Sequence, residues 1–241
     1  MGAKPFATEA DLCAAFIAQL PPLWTAYAET AGWDILLAAG DGTQIGVQAK
    51  LRLNAKVLDQ AVGEGWECWR EDGPDFRAVL VPEHGHESLC RALGLVLIHA
   101  RGDGRSFEPN LRFDHGYRSW HFWNPTRRHK LPAFVPDVVA GASGPVQLTR
   151  WKVAALRIFA RLEIRGEVTR ADFKELGIDI RRWIAPQGWL RPGAVPGQFV
   201  ATPRLSVAAQ HPEVWPQVLA DERKNAAAAA PRGDLLTAAA A

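Results

Sequence analysis

Asp34, Gln48 and Lys50 are the residues of this 241-residue chain whose types and spacing best suit chemistry. They lie in the stretch from Trp33 to Lys50, which reads as two short strands joined at Gly40-Asp41-Gly42, a turn-prone cluster between two apolar runs. The second strand alternates: Ile45, Val47, Ala49, Leu51 and Leu53 on one face, Gln44, Gln48, Lys50 and Arg52 on the other. An acid, an oxygen-donating amide and an amine on one face suit a hard divalent cation with a cationic partner beside it.

The loop length decides whether these groups meet. A two-residue loop at Asp41-Gly42 pairs Asp34 with Ala49 and turns it away from Gln48 and Lys50. A three-residue loop at Gly40-Asp41-Gly42 pairs Asp34 with Gln48, because a one-residue slip exchanges faces. Gly42 supplies the left-handed residue that such a loop needs, and this register is the one expected.

Asp34…Gln48-Ala49-Lys50, with Glu9 in a preceding helix, resembles the PD-(D/E)XK nuclease-like superfamily in its Q-x-K variant. The resemblance covers roughly residues 5–101. It implies an α-β-β-β-α-β restriction-endonuclease-like core, a mixed central sheet flanked by helices, and Mg²⁺- or Mn²⁺-dependent hydrolysis of DNA phosphodiester bonds. Trp33 replaces the family's proline, and Gln48 its acidic ligand, which removes one negative charge. The implied catalytic set is Asp34, Gln48, Lys50 and Glu9. Asp34, the Gln48 side-chain oxygen and the Ala49 carbonyl would hold the cation, and Glu29 would supply the charge that Gln48 lacks. Lys50 would orient or activate the attacking water and steady the developing phosphorane charge.

The elements that must position these groups follow in order. Thr8 caps a helix with acids in its first turn and Leu12, Phe16 and Leu20 as its stripe, stopped at Pro21-Pro22. Glu9, one turn before Leu12, faces the sheet edge, or simply favours the helix dipole. Trp24–Glu29 reads as the first strand, with Glu29 at its end, either a turn acid or a partner for Asp34. Asn54 caps a second helix extending to about Trp69, weakened by Gly63 and Gly65, with Lys56 and Gln60 on a solvated or DNA-facing side. Phe76–Val81, a short helix from Ser88 to Leu93 and Leu95–Ala100 form a strand-helix-strand crossover. His84-Gly85-His86 has metal-ligand spacing without an evident third ligand, so a polar loop is expected.

Residues 102–145 read as an irregular arm. Between Tyr117 and Lys130 it interleaves aromatics with Arg118, Arg127, Arg128 and Lys130, which suits either base stacking with phosphate contacts or packing of the arm onto the body. Residues 146–205 carry 11 Lys/Arg against 5 Asp/Glu, whereas residues 1–145 carry 14 against 17. A basic module on a mildly acidic body points to a polyanionic partner. Its pattern is a helix from Gln147, a short helix Arg170–Leu176, a third helix Ile180–Ala185 with Arg181 and Arg182, then two strands around Pro192–Gly197. That pattern resembles a winged helix-turn-helix over 147–203, with the third helix entering a groove and the hairpin as wing. Residues 206–241 read as a helix, Pro212–Ala230, fading into alanine-rich disorder.

Cys13, Cys68 and Cys90 are odd in number and widely spaced, matching neither a disulfide framework nor a zinc set. The chain has no apolar run of membrane-spanning length and no signal-like start, so a cytoplasmic protein is expected. The expected function is a metal-dependent nuclease acting on DNA, dimeric if it cuts both strands. The competing readings are a catalytically inactive DNA-binding regulator, favoured by Gln48, and a winged-helix protein-interaction adaptor.

Overall fold

The computed structural model describes residues 5–63, 72–102, 104, 106–111, 120–142, 148–202 and 211–229. The chain divides into two compact units, residues 1–147 and 148–241. Both are mixtures of helix and strand, and among the described residues no helix is long and apolar enough to cross a membrane.

The first unit runs α1 (Glu9–Ile17), β1 (Trp24–Thr30), β2 (Trp33–Ala39), β3 (Gln44–Ala49), α2 (Ala55–Val62), β4 (Phe76–Val81), α3 (Glu87–Ala92), β5 (Val96–Ala100) and β6 (Phe107–Glu108). The strands form one mixed sheet in sequence order. β1, β2 and β3 are antiparallel neighbours, β3, β4 and β5 run parallel, and β6 returns antiparallel. α1 begins at a capping box in which Thr8 and Asp11 satisfy each other's backbone N–H groups. It buries Leu12, Cys13 and Phe16 against one face of the sheet, with Ile35, Leu37, Val47, Ala49 and Leu80. α2, capped by Asn54, buries Val57 and Ala61 against the other face, with Leu36, Val79 and Val81. α2 ends at Val62, and the stretch to Trp69, where a longer helix was expected, lies outside the described residues apart from Gly63.

The β2–β3 hairpin has the three-residue loop. Ala38 pairs with Gln44 and Ile35 with Val47. The Ala39 N–H donates to the Thr43 carbonyl, and Gly42 sits at φ 87°. Trp33 lies flat over Gly46, where a Cβ would come within 2.4 Å of the indole, so only glycine admits the ring.

The described part of the arm packs onto this sheet. Trp120 meets Phe76 edge-on at 5.8 Å, and Trp123 donates its indole N–H to the Gly94 carbonyl at 3.0 Å while the Arg77 guanidinium lies 4.0 Å above its ring. Gln44 and His129 exchange two hydrogen bonds, of 2.8 and 3.0 Å, and the Trp33 indole donates to His129 Nε2 at 3.2 Å. Asp75, almost fully buried, accepts the Gln44 N–H at 2.7 Å and the Arg128 guanidinium at 2.8 Å. Tyr117, Arg118 and Ser119 lie outside the described residues.

The second unit contains α4 (Arg150–Arg165), β7 (Val168–Thr169), α5 (Arg170–Glu175), β8 (Leu190–Pro192), β9 (Gln198–Ala201) and α6 (Val214–Ala229). Its sheet has the order β7-β9-β8. Trp183, 1% exposed, centres the core with ring centroids of Phe159, Phe173 and Trp189 each 5.0 Å away. An ion-pair network joins α4, α5 and α6: Arg157 to Asp221 and Glu222, Arg161 to Asp172, Glu175 and Glu222, and Arg165 to Asp172.

One expectation is corrected here. The third helix, Ile180–Ala185, is a series of turns. Asp179 caps only a local turn, accepting the Arg181 N–H at 2.9 Å. The Trp183 carbonyl, which a helix would direct to a residue four positions on, accepts the Leu190 N–H at 2.8 Å. Pro186 also disfavours helical geometry at Ala185.

Candidate active site at the open end of the hairpin

Pairing between β2 and β3 stops at Ile35 and Val47. In a regular antiparallel ladder the next inward N–H of β3, that of Ala49, would donate to a β2 carbonyl. It donates instead to the Asp34 carboxylate, 2.7 Å away. The side chain of Asp34 thus occupies a ladder position at the frayed end of the sheet.

On the other side of Asp34 the β1–β2 ladder is interrupted as well. Ala28 pairs with Ile35 and Thr30 with Trp33, which leaves Glu29 and Asp34 facing each other without a ladder pair. Glu29 adopts φ 47°, the left-handed region that a non-glycine residue enters at a cost of about 1–3 kcal/mol. Strain of this kind concentrates where a side chain is being aimed. The Glu29 carboxylate accepts the Gly141 N–H at 2.8 Å.

Lys50 follows β3 directly, its own N–H fixed to the Leu80 carbonyl at 2.9 Å. Its ammonium reaches the Glu9 carboxylate at 2.6 Å. The first turn of α1 therefore presents Glu9 at the end of the central strand β3, held to the lysine. This pair is about three-quarters buried, with side-chain exposures of 23% and 30%.

Electrostatics tie the four charged groups into one centre. Burial raises the Asp34 carboxyl above its ordinary range, and Glu9 adds to that, while the Ala49 N–H and Lys50 draw it back. Burial and the Asp34 charge raise Glu29, opposed by the Gly141 N–H and Lys50. The buried Cys13 thiol beneath them is pushed up to about 12, by burial first and then by Asp34, Glu29 and Glu9, against Lys50. Such a thiol is neutral and inert at physiological pH. Asp34, Glu29, Glu9 and Lys50 thus lie near enough to influence one another's charge.

Gln48 is 5% exposed and spends its amide N–H on the Gly32 carbonyl at 2.8 Å, which fixes the side chain and leaves its oxygen as the free acceptor type. The available donors are therefore the carboxylates of Asp34 and Glu29, the Gln48 amide oxygen and the Ala49 carbonyl, all hard oxygens of the kind Mg²⁺ and Mn²⁺ take. Among the described residues no group of three or more His, Cys, Asp or Glu side chains is arranged to hold a metal ion by itself. Any ion here would rely on amide, carbonyl and water oxygens beside the carboxylates.

The other candidates lie elsewhere. Arg127 is exposed and paired with Asp72 at 3.0 Å, Arg128 is half exposed and paired with Asp75, and Lys130 is exposed. Arg181 and Arg182 project from the turns after α5, and Arg181, 85% exposed, pairs with Asp179 at 2.6 Å. His84 meets His99 edge-on at 4.8 Å and Glu87 at 3.1 Å, and His86 starts α3 in a left-handed conformation. Sequence reasoning missed Gly141, which stands 112 positions from its acceptor and carries no local signal. No protein-family model, curated protein or solved structure matches this chain.

Proposed function

We propose that the first unit is a metal-dependent nuclease of the PD-(D/E)XK type. The observation that carries this reading is that Asp34 accepts the N–H of Ala49, the residue before Lys50, while the Lys50 ammonium is held by Glu9, at the frayed end of β2 and β3. Three carboxylates kept half-buried beside a single ammonium leave an excess of negative charge, which a bound cation relieves. Asp34 and Glu29 would hold Mg²⁺ or Mn²⁺, completed by the Gln48 and Ala49 oxygens and water. A divalent ion in such a centre polarises the phosphoryl oxygens and lowers the proton affinity of water.

The chain's own groups do the rest. Glu9 holds Lys50 in place through a 2.6 Å ion pair. The ammonium orients a water toward phosphorus and stabilises the negative charge that builds on the phosphoryl oxygens as the P–O bond breaks. Glu29, cross-strand from Asp34, takes over the charge that a carboxylate at position 48 would bring.

The second unit supports this by binding nucleic acid. Its order of elements, α4-β7-α5-β8-β9, and its β7-β9-β8 sheet resemble a winged helix in which a turn segment stands where the third helix is expected. Arg181, Arg182 and Arg191 are exposed beside it. A second reading, a DNA-binding regulator without catalysis, is favoured by one observation: Gln48 stands in an acid's place with its amide tied to Gly32.

The test is incubation of the full chain with labelled duplex, single-stranded, flap and RNA substrates, with and without Mg²⁺ and Mn²⁺. The nuclease reading requires metal-dependent cleavage that Lys50→Ala abolishes. Salt-dependent binding without cleavage of any substrate assigns the regulator instead.

A further inference from the structure

The geometry points to Gly141 as a positioning residue, whose backbone N–H, delivered by segment 137–142, holds the Glu29 carboxylate beside Asp34. This rests on the nuclease reading above and deepens it. The segment is anchored on the body by Ala140, 4% exposed, and by Val138, both packed with the α1 face of the sheet. Its turn brings Gly141 so close to the start of α1 that a Cβ would stand 3.1 Å from Cys13 Sγ and from the Glu9 carbonyl. At φ 71° the same position is strained for any residue with a side chain. Glycine takes this turn without strain, and a side chain here would press on Cys13 and Glu9.

What that close approach achieves is a single hydrogen bond, 2.8 Å, from the Gly141 N–H to Glu29. Glu29 needs it. Its backbone is left-handed, and it stands at the position opposite Asp34 in the β1–β2 register. The contact fixes the direction of the Glu29 carboxylate, which is what an oxygen donor to a cation requires. Gly141 therefore acts on metal affinity through Glu29 and touches neither metal nor substrate.

The experiment is a double-mutant cycle on the full chain, with Mn²⁺ as probe, reading the Mn²⁺ concentration at half-maximal cleavage and Mn²⁺ binding by calorimetry. Gly141→Ala is expected to weaken Mn²⁺ by about tenfold, the scale of losing a group that orients a metal ligand, with a smaller change in the rate at saturating Mn²⁺. Glu29→Ala alone is expected to weaken Mn²⁺ at least as much. Adding Gly141→Ala to Glu29→Ala is expected to change nothing further. A full additional loss in the double variant, or an unshifted Mn²⁺ dependence in Gly141→Ala, overturns the assignment. If Gly141→Ala does not fold, Cys13→Ala/Gly141→Ala, which frees space under the new methyl, carries the same comparison against Cys13→Ala. A wild-type chain that neither binds Mn²⁺ nor cleaves overturns this inference together with the nuclease reading. A wild-type chain that cleaves without coupling between residues 29 and 141 overturns this inference alone.

Discussion

Asp34→Asn separates chemistry from stability, because the two effects have opposite signs. The variant keeps the shape of the side chain and an oxygen that accepts the Ala49 N–H now held at 2.7 Å. Exchanging a charged acceptor for a neutral one weakens that bond by about 1 kcal/mol. Against this, the substitution removes a carboxylate whose ionisation burial disfavours and whose charge opposes Glu9 and Glu29. A group with its folded pKa raised is destabilising when ionised at neutral pH, so its neutralisation returns stability. The two contributions oppose each other, and the metal-free variant should melt close to the wild-type temperature. Activity should fall by about 10²–10³-fold, roughly 3–4 kcal/mol of lost stabilisation. A change of about 1 kcal/mol in a protein stable by about 5–15 kcal/mol cannot unfold enough chain to mimic that loss. Mn²⁺ at about 100 times its dissociation constant should stabilise the wild type by about 2.7 kcal/mol, roughly 5–10 °C for a unit of this size, and should leave Asp34→Asn unmoved. Calorimetric melting with and without Mn²⁺, run beside the cleavage assay, reads all three. A variant that melts many degrees lower yet still cleaves would make Asp34 a structural residue and refute the reasoning.

The raised carboxyls of Asp34 and Glu29 also fix a pH dependence. Their stabilising contribution is full below their ordinary values of 3.8 and 4.5 and is lost as pH rises through the elevated folded values. Metal-free wild type should therefore gain on Asp34→Asn as pH drops from neutral toward 5, whereas Mn²⁺ affinity should weaken over the same interval because the ion competes with protons, as melting and calorimetric titrations will show. Asp75→Ala removes the acceptor of the Gln44 N–H and of Arg128, leaving a buried donor unsatisfied. It should cost about 2–3 kcal/mol and loosen the arm, read as faster amide exchange at His129. In the second unit, burial alone would raise the Asp172 carboxyl, but Arg165, the Thr169 N–H and Arg161 outweigh it and hold it at about 2. Its stabilisation is present above the ordinary carboxylate range and is lost as pH falls through about 2. Asp172→Ala leaves two arginines short of a partner and removes a helix cap, so the second unit should lose about 3–5 kcal/mol in chemical denaturation.

The hairpin register was legible because loop length and face alternation are local. Three residues between Ala39 and Thr43, with a glycine last, leave one pairing that buries Ile45 and Val47 with Ile35 and Leu37. The caps at Thr8 and Asn54 were legible for the same reason. What failed was settled by distant partners. Asp179 looks like a helix cap, but the Trp183 carbonyl finds Leu190 and the helix does not form. The aromatics at Trp120 and Trp123 suit stacked bases or a docked arm equally, and only the packing against Phe76, Gly94 and Arg77 decides. The placement of Glu29 was half visible: its nearness to Asp34 is in the sequence, whereas its left-handed backbone and its bond to Gly141 belong to the folded chain.

The kink at Glu29 has one more consequence. Among the described residues β1 is the outermost strand on its side of the sheet, so its outward amides and carbonyls form the kind of edge on which a second chain builds. A left-handed residue near its end breaks the flat row that such edge-to-edge association requires. The distortion at Glu29 thus also opposes association through the backbone of β1, and straightening it would favour aggregation.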